Sequence, residues 1–131
     1  MPERGTVERA RRAKREGKSP TTQAGEFVRE EIEHVREGKH GARSAKQAIA
    51  IGLSKARRAG VKLPPPKRGQ ASARTRHSAA RDYRQGQRGP KPTTSAKRAR
   101  ASLRALKREP HRTVSRKALS KQAKAAARRR R

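Results

Sequence analysis

"SAKQAIAIGLSKARRAGVKLPPPKRG", residues 44–69, contains one predicted helix with clear start and stop signals, in a chain that is otherwise dominated by Lys and Arg. Ser44 and Gln47 have the spacing of a capping box, in which the Ser side chain accepts from the amide three residues on and the Gln side chain reaches back. Gly60 supplies the left-handed residue that ends many helices, and three prolines follow. Small and apolar residues share one face of this helix: Ala45, Ala48, Ile49, Gly52, Leu53 and Ala56. Because Gly52 lies within that face, we expect another helix to approach it closely.

The preceding segment, "TTQAGEFVREEIEHVREG" at residues 21–38, has the clearest amphipathic pattern in the chain. The predicted helix starts near Thr21 or Thr22, ends at Gly38, and carries an apolar stripe at helical spacing: Ala24, Phe27, Val28, Ile32 and Val35. The loop "GKHGAR", residues 38–43, is short and bounded by glycine. We therefore expect a helical hairpin in which these side chains meet across a seam: Phe27, Ile32 and Val35 against Ile49 and Leu53.

Weaker helical patterns lie on either side of the hairpin. Residues 6–16 form a charged segment with Val7, Ala10 and Ala13 at helical spacing. After the prolines, three segments rich in Ala, Lys and Arg are predicted: 72–86 ending at Gly86, 93–110 with a Ser95 cap, and 115–131 beginning at Ser115. Because these segments offer few apolar side chains, we expect them to become ordered on binding a partner.

Composition limits the size of any core. Only 29% of the 131 residues are hydrophobic and 2% are aromatic, so much of the chain cannot offset its own ordering entropy. The predicted fold class is mostly α with extensive disorder, comprising a small helical hairpin and basic Ala/Lys/Arg-rich tail helices. The predicted organisation is a basic N-terminal segment at 1–20, the hairpin at 21–63, a proline-rich linker at 64–70, and a basic, partly disordered helical arm at 71–131.

The charge indicates the class of partner. The chain carries 39 Lys and Arg against 10 Asp and Glu, a formal net charge of +29, and residues 67–131 hold only two of the acids. Self-repulsion opposes a compact isolated state, and a polyanion relieves it. Nucleic acid is the commonest such partner, because neutralising phosphates releases condensed counterions.

Several classes of function are not expected. Cysteine is absent, and His34, His40, His77 and His111 lack metal-ligand spacing, so no metal site is predicted. We find no phosphate-binding glycine loop, catalytic triad order or nucleophile elbow, so we expect neither an enzyme nor a cofactor. The chain has no apolar segment of membrane-spanning length, and we expect a cytoplasmic, nucleoid-associated protein.

The hypothesis is DNA binding through the phosphate backbone without sequence preference. One Phe and one Tyr cannot form the stacking platform of single-strand binders. The first expected contacts lie at the end of the hairpin: Arg57, Arg58, Lys62, Lys67 and Arg68. Most of the affinity is assigned to the arm: Arg98, Arg100, Arg104, Lys107, Arg108, Arg116, Lys117, Lys121, Lys124, Arg128, Arg129, Arg130 and Arg131.

Two alternatives remain open. RNA-binding and ribosome-associated proteins share this composition, so the sequence does not decide between DNA and RNA. A non-catalytic interaction module is the second alternative, with self-association through the hairpin. Half of the acids lie in one predicted helix, and we expect them to pair with basic segments of the same chain or of a second copy: Glu26, Glu30, Glu31, Glu33 and Glu37.

Residues 19–70 resemble a domain-of-unknown-function family of small, very basic bacterial proteins, often described as DNA-binding. The most specific part of the resemblance is "KHGARSAKQAIAIGLSKARRAGVKLPPP", residues 39–66. The basic tail is similar in composition to the variable region of that family. The resemblance implies a bacterial DNA-binding protein and supplies no binding or catalytic residue.

Overall fold

The computed structural model describes residues 3–89 and 95–129, and these are mostly helical. Six α-helices and one 3₁₀ turn follow each other along the chain: α1 Arg4–Arg15, α2 Pro20–Arg36, α3 Ala45–Arg58, α4 Ala73–Arg88, α5 Ala96–Lys107, the turn Arg112–Val114, and α6 Arg116–Arg129. The part of the chain that the structure describes has no named strand and one isolated bridge, between Arg68 and Ala71. The mostly α fold class is confirmed.

Both ends of α3 have the capping features that the sequence predicts. The Ser44 side chain accepts from the Gln47 amide at 3.1 Å. The Gln47 side chain reaches back to the amide of Arg43, one residue before the expected one. At the other end Gly60 has φ +99°, and the Val61 amide donates to the Ala56 carbonyl at 3.1 Å, as in a Schellman motif.

Helix α2 begins earlier than its sequence pattern suggested. Ser19 caps it by accepting from the Thr22 amide at 3.3 Å, and Pro20 takes the first helical position. Proline fits there because its ring fixes φ and the amide it lacks has no partner within the helix. The predicted start at Thr21 or Thr22 was therefore one or two residues late, whereas the ending at Gly38, with φ +78°, is confirmed.

Helices α2 and α3 pack as the expected hairpin, and α1 closes one side of it. One core cluster joins the three helices and the segment after α3: Ala10, Ala24, Phe27, Ala56 and Val61, with Val7, Leu53 and Leu63 packed against it. A Cβ atom at Gly52 would lie 2.6 Å from the Val28 Cα atom, so the expected close approach at this glycine is confirmed. Ile49 is half-buried and belongs to neither core cluster, so its predicted place in the seam is not confirmed; Ala48 and Ala56 are the buried α3 residues of the two clusters.

A second core cluster joins the hairpin to the C-terminal part of the chain. It consists of Val35, Ala42, Ala48 and Val114, and Ile32 packs against it. Beside it, the Gly41 and Ala42 amides donate to the carbonyls of Leu106 and Pro110, both at 2.8 Å. Val114 is fully buried, so the chain after α5 returns to the hairpin.

The expectation of extensive disorder is not confirmed in the described residues, where the arm forms α4, α5 and α6. Gly86 does not end α4, which continues to Arg88, with Gly89 following at φ +100°. Gly86 instead lets α4 approach α3, since a Cβ atom there would lie 1.7 Å from the Arg57 carbonyl oxygen. Helix α5 buries none of its residues. No helix in the described ranges is long and apolar enough to cross a membrane.

Candidate nucleic-acid interface

The basic residues of α6 repeat at helical spacing. Lys117, Lys121, Lys124 and Arg128 follow one another at intervals of four, three and four residues, which places them along one face. All four side chains are exposed. We call this row the α6 stripe. Its length is about 16 Å, over which one strand of DNA places roughly five phosphates.

Helix α5 carries a similar row, with Lys97, Arg100, Arg104 and Lys107 at intervals of three, four and three. Ser95 caps this helix by accepting from the Arg98 amide at 3.2 Å, and Ser115 caps α6 by accepting from the Ala118 amide at 3.2 Å. A bound chain of phosphates would therefore meet cations held on helices whose starts are fixed by serine caps.

The cations between residues 95 and 129 are all exposed: Lys97, Arg98, Arg100, Arg104, Lys107, Arg108, Arg112, Arg116, Lys117, Lys121, Lys124, Arg128 and Arg129. None of them forms an ion pair within 4.0 Å with a carboxylate of the described residues. Glu109 is the one acidic residue in that range. Arg130 and Arg131, also expected to bind, lie outside the described residues.

Some cations of the N-terminal helices have a different environment. Four exposed ones each lie close to a carboxylate, at 3.2–3.8 Å: Arg4 to Glu8, Arg12 and Lys18 to Glu16, and Arg29 to Glu33. Such pairs lower the local positive potential even though each adds little stability. These four cations are therefore less available to a polyanion than the four cations of the α6 stripe.

The basic residues expected to bind nucleic acid at the end of α3 differ in their exposure. Arg58, Lys62, Lys67 and Arg68 are exposed, and Arg58 lies 4.0 Å from Asp82. Arg57 was expected with them, but it is buried.

The buried Arg57 side chain serves the fold. Its Nε donates to the Leu63 carbonyl at 3.2 Å and one Nη donates to the Pro64 carbonyl at 3.1 Å. Burial lowers the pKa of this guanidinium. The sequence prediction failed here because Arg57 and Arg58 look alike in the sequence, and only the return of the proline segment over α3 separates them.

The aromatic side chains offer no stacking platform within the described ranges. Phe27 is 1% exposed in the core, and Tyr83 is half-buried on α4. The expectation that this chain lacks the aromatic surface of single-strand binders is consistent with both positions.

The acids of α2 pair with groups of the same chain, which is one of the two possibilities expected from the sequence; the other was pairing with a second copy. Glu26 accepts from Arg9 of α1 at 3.0 Å. Glu30 is buried and accepts from the Thr6 hydroxyl at 3.3 Å and from the backbone amide of Glu3. These contacts fix the start of α1 against α2. No ion pair joins the acids of α2 to residues 95–129.

Glu31 is the most deeply buried acid among the described residues and the centre of a group that the sequence did not reveal. Its side chain is 1% exposed, and it contacts the Lys55 ammonium through Oε1. The Nε2 atom of His40 lies 3.3 Å from Glu31 Oε2, and Nδ1 of His34 lies 3.9 Å from Oε1. We call Glu31, His34, His40 and Lys55 the Glu31 cluster.

The spacing of these residues in the sequence predicts little of this cluster. Glu31 and His34 are three residues apart on α2, and so share a face, but His40 comes from the loop and Lys55 from α3. A cleft of about 460 Å³ opens beside them, with Ile51, Leu103 and Leu106 among its other lining residues. The only early signal was the i, i+3 pair of a carboxylate and an imidazole.

Residues 6–68 match a family of unknown function, DUF6496. The matched segment contains most of α1, all of α2 and α3, and the three prolines after α3, so it includes the first core cluster and the Glu31 cluster but not α5 or α6. No curated protein and no solved structure matches the chain. The comparisons thus support an uncharacterised domain over the N-terminal half of the chain.

Proposed function

We propose that this protein binds double-stranded nucleic acid, DNA in preference to RNA, through the phosphate backbone and without sequence preference. The observation that carries the proposal is the set of exposed cations on α5 and α6, none of which is paired with a carboxylate of the described residues. Each such cation can neutralise a phosphate without first breaking an internal ion pair.

The helical spacing of these cations also favours a polyanion. Lys117, Lys121 and Lys124 are like charges three and four residues apart, an arrangement that destabilises a helix in isolation. Phosphates placed along the row remove that repulsion. We therefore expect α6 to be more stable on nucleic acid than in the free protein.

Duplex is favoured over single strands because Phe27 is in the core and Tyr83 is half-buried, so base stacking has little to contribute. Contacts made only to phosphates position a protein without reading bases. An accessory role on the nucleoid is the cellular setting that this chemistry fits best.

The test is a comparison of binding to two unrelated DNA duplexes, an RNA duplex and an RNA hairpin, all at one salt concentration. Equal affinity for the two DNA sequences, with weaker binding to both RNAs, is expected. A clear preference for an RNA would favour RNA binding or ribosome association instead. Absence of binding to all four, with a protein that purifies free of nucleic acid after nuclease treatment, would favour the interaction module.

A further inference from the structure

The two imidazoles of the Glu31 cluster are held in defined tautomers. His40 Nδ1 lies 2.9 Å from the Gly41 carbonyl oxygen. A carbonyl can only accept, so Nδ1 carries the proton and donates it. In the neutral ring, Nε2 then has a lone pair, and this atom faces Glu31 Oε2 at 3.3 Å.

His34 has the same arrangement with its ring atoms exchanged. Its Nε2 lies 3.1 Å from Glu3 Oε1, to which it donates a hydrogen bond. This leaves the lone pair of Nδ1 on the side of Glu31, 3.9 Å from Oε1. A histidine that donates one ring N–H to a carbonyl or carboxylate and turns the other nitrogen inward is typical of metal-binding histidines.

The inner side of the cluster contains an unsatisfied oxygen. Glu31 Oε2 is buried and has no hydrogen-bond partner, while Oε1 contacts Lys55. A carboxylate oxygen and an imidazole lone pair 3.3 Å apart repel each other unless a positive species lies between them. Buried polar atoms in folded proteins nearly always have a hydrogen-bond partner, so the unpaired Oε2 needs an explanation.

The spacing fits a small divalent cation. Ligand atoms of Glu31, His34 and His40 lie within 4.8 Å of one another. Tetrahedral zinc with bonds of about 2.0–2.1 Å to nitrogen and oxygen separates its ligands by roughly 3.3 Å. The separation of His40 Nε2 from Glu31 Oε2 already has that value, whereas His34 Nδ1, which lies 3.9 Å from Glu31 Oε1, must move closer to bind the same ion.

We propose that Glu31 Oε2, His34 Nδ1 and His40 Nε2 form a site for a divalent metal ion of the zinc type. Lys55 keeps its contact with Glu31 Oε1, and the Gly41 carbonyl and Glu3 carboxylate orient the two imidazoles. A set of two histidines and one carboxylate leaves a fourth position open. All three residues also line the adjoining cleft, so a water molecule or an anionic group has access to that position.

The experiment is calorimetric titration of the full chain with Zn²⁺ alone, repeated on single variants whose helicity matches the parent. One equivalent of Zn²⁺ should bind. His40→Ala should weaken binding by about 10- to 100-fold or abolish it, and Glu3→Gln, which changes only an orienting group, should weaken it by about 10-fold. His77→Ala is the matched control, since that exposed residue lies on α4, and it should leave binding unchanged.

Lys55→Gln supplies a result of opposite sign. Removing a cation that contacts the ligand carboxylate should strengthen Zn²⁺ binding, because the two positive charges no longer compete for Glu31. A purely structural role of the cluster would give no such increase.

A measurement on the unaltered protein covers the case in which His40→Ala does not fold. Nitrogen NMR should show Zn²⁺ shifting Nδ1 of His34 and Nε2 of His40, with His77 unaffected. The proposal is overturned if the folded parent binds no stoichiometric Zn²⁺, or if those two nitrogens do not respond. In that event a proton on His40 is the positive species between its ring and Glu31.

Discussion

Gly52 of α3 lies against Val28 of α2 so closely that a Cβ atom on Gly52 would be 2.6 Å from the Val28 Cα atom and 2.9 Å from its amide nitrogen. Both neighbours are backbone atoms, which cannot rotate away. The hairpin therefore owes its close packing to this glycine. Helix propensity alone favours alanine at this position by about 1 kcal/mol, so the two effects oppose each other.

We predict that Gly52→Ala lowers the free energy of unfolding by about 1–3 kcal/mol, because the helices must separate to admit the methyl group. The control is Gly25→Ala on the partner helix. A Cβ atom at Gly25 meets nothing within 4 Å, so the propensity gain should appear there as a stabilisation of up to about 1 kcal/mol. Urea unfolding followed by circular dichroism measures both. Equal effects at the two glycines would contradict the packing described for Gly52.

Val114 should hold the C-terminal segment on the hairpin. Val114→Ala removes methyl groups from a fully buried site, which should cost about 2 kcal/mol. Amide exchange should then lose protection at Gly41 and Ala42, whose amides donate to Leu106 and Pro110, while α3 stays protected. Leu103→Ala, at a side chain that is 42% exposed, should change neither amide. Unchanged protection in Val114→Ala would mean that this contact does not hold the arm.

Arg57 and Arg58 are neighbours with different expected roles, which makes them a matched pair. Arg57→Gln should reduce stability by about 2 kcal/mol, since it removes buried charged donors to the Leu63 and Pro64 carbonyls. Arg58→Gln should leave stability nearly unchanged and reduce the salt dependence of DNA binding by about 0.9 if it contacts one phosphate. Thermal unfolding and binding titrations on both variants check this. If Arg57→Gln changed the salt dependence and Arg58→Gln changed the stability, Arg57 would be a DNA contact and Arg58 a structural residue.

Local signals in the sequence predicted the local structure well. The Ser44 cap, the Gly60 ending and the role of Gly52 depend on residues close together in the chain or on one helix face, and the structure has all three. Even so, the start of α2 was placed late because the Ser19-Pro20 pair was overlooked as a helix start.

Relationships between distant segments were not predictable from a single sequence. The burial of Val114 against Val35 depends on the return of a chain almost 80 residues later, and neither residue signals the other. The Glu31 cluster combines three elements, and its histidines have no regular spacing. Arg57 shows the same limit on a smaller scale, since its burial is decided by the segment that folds back over it.

The central claim, that exposed cations of the arm and not net charge alone bind phosphates, is tested most directly by the slope of log affinity against log salt on duplex DNA. Two variants each lose four positive charges. The first replaces the α6 stripe by Gln at Lys117, Lys121, Lys124 and Arg128, and the second replaces the carboxylate-paired cations by Gln at Arg4, Arg12, Lys18 and Arg29.

The stripe variant should lose about 3–4 from the magnitude of the slope, at roughly 0.9 for each phosphate contact, whereas the control should keep nearly the slope of the parent. Circular dichroism must first show equal helicity in the three free proteins, so that the comparison reports contacts. Equal slopes for the two variants, or a larger loss in the control, would contradict the assignment of phosphate binding to the arm.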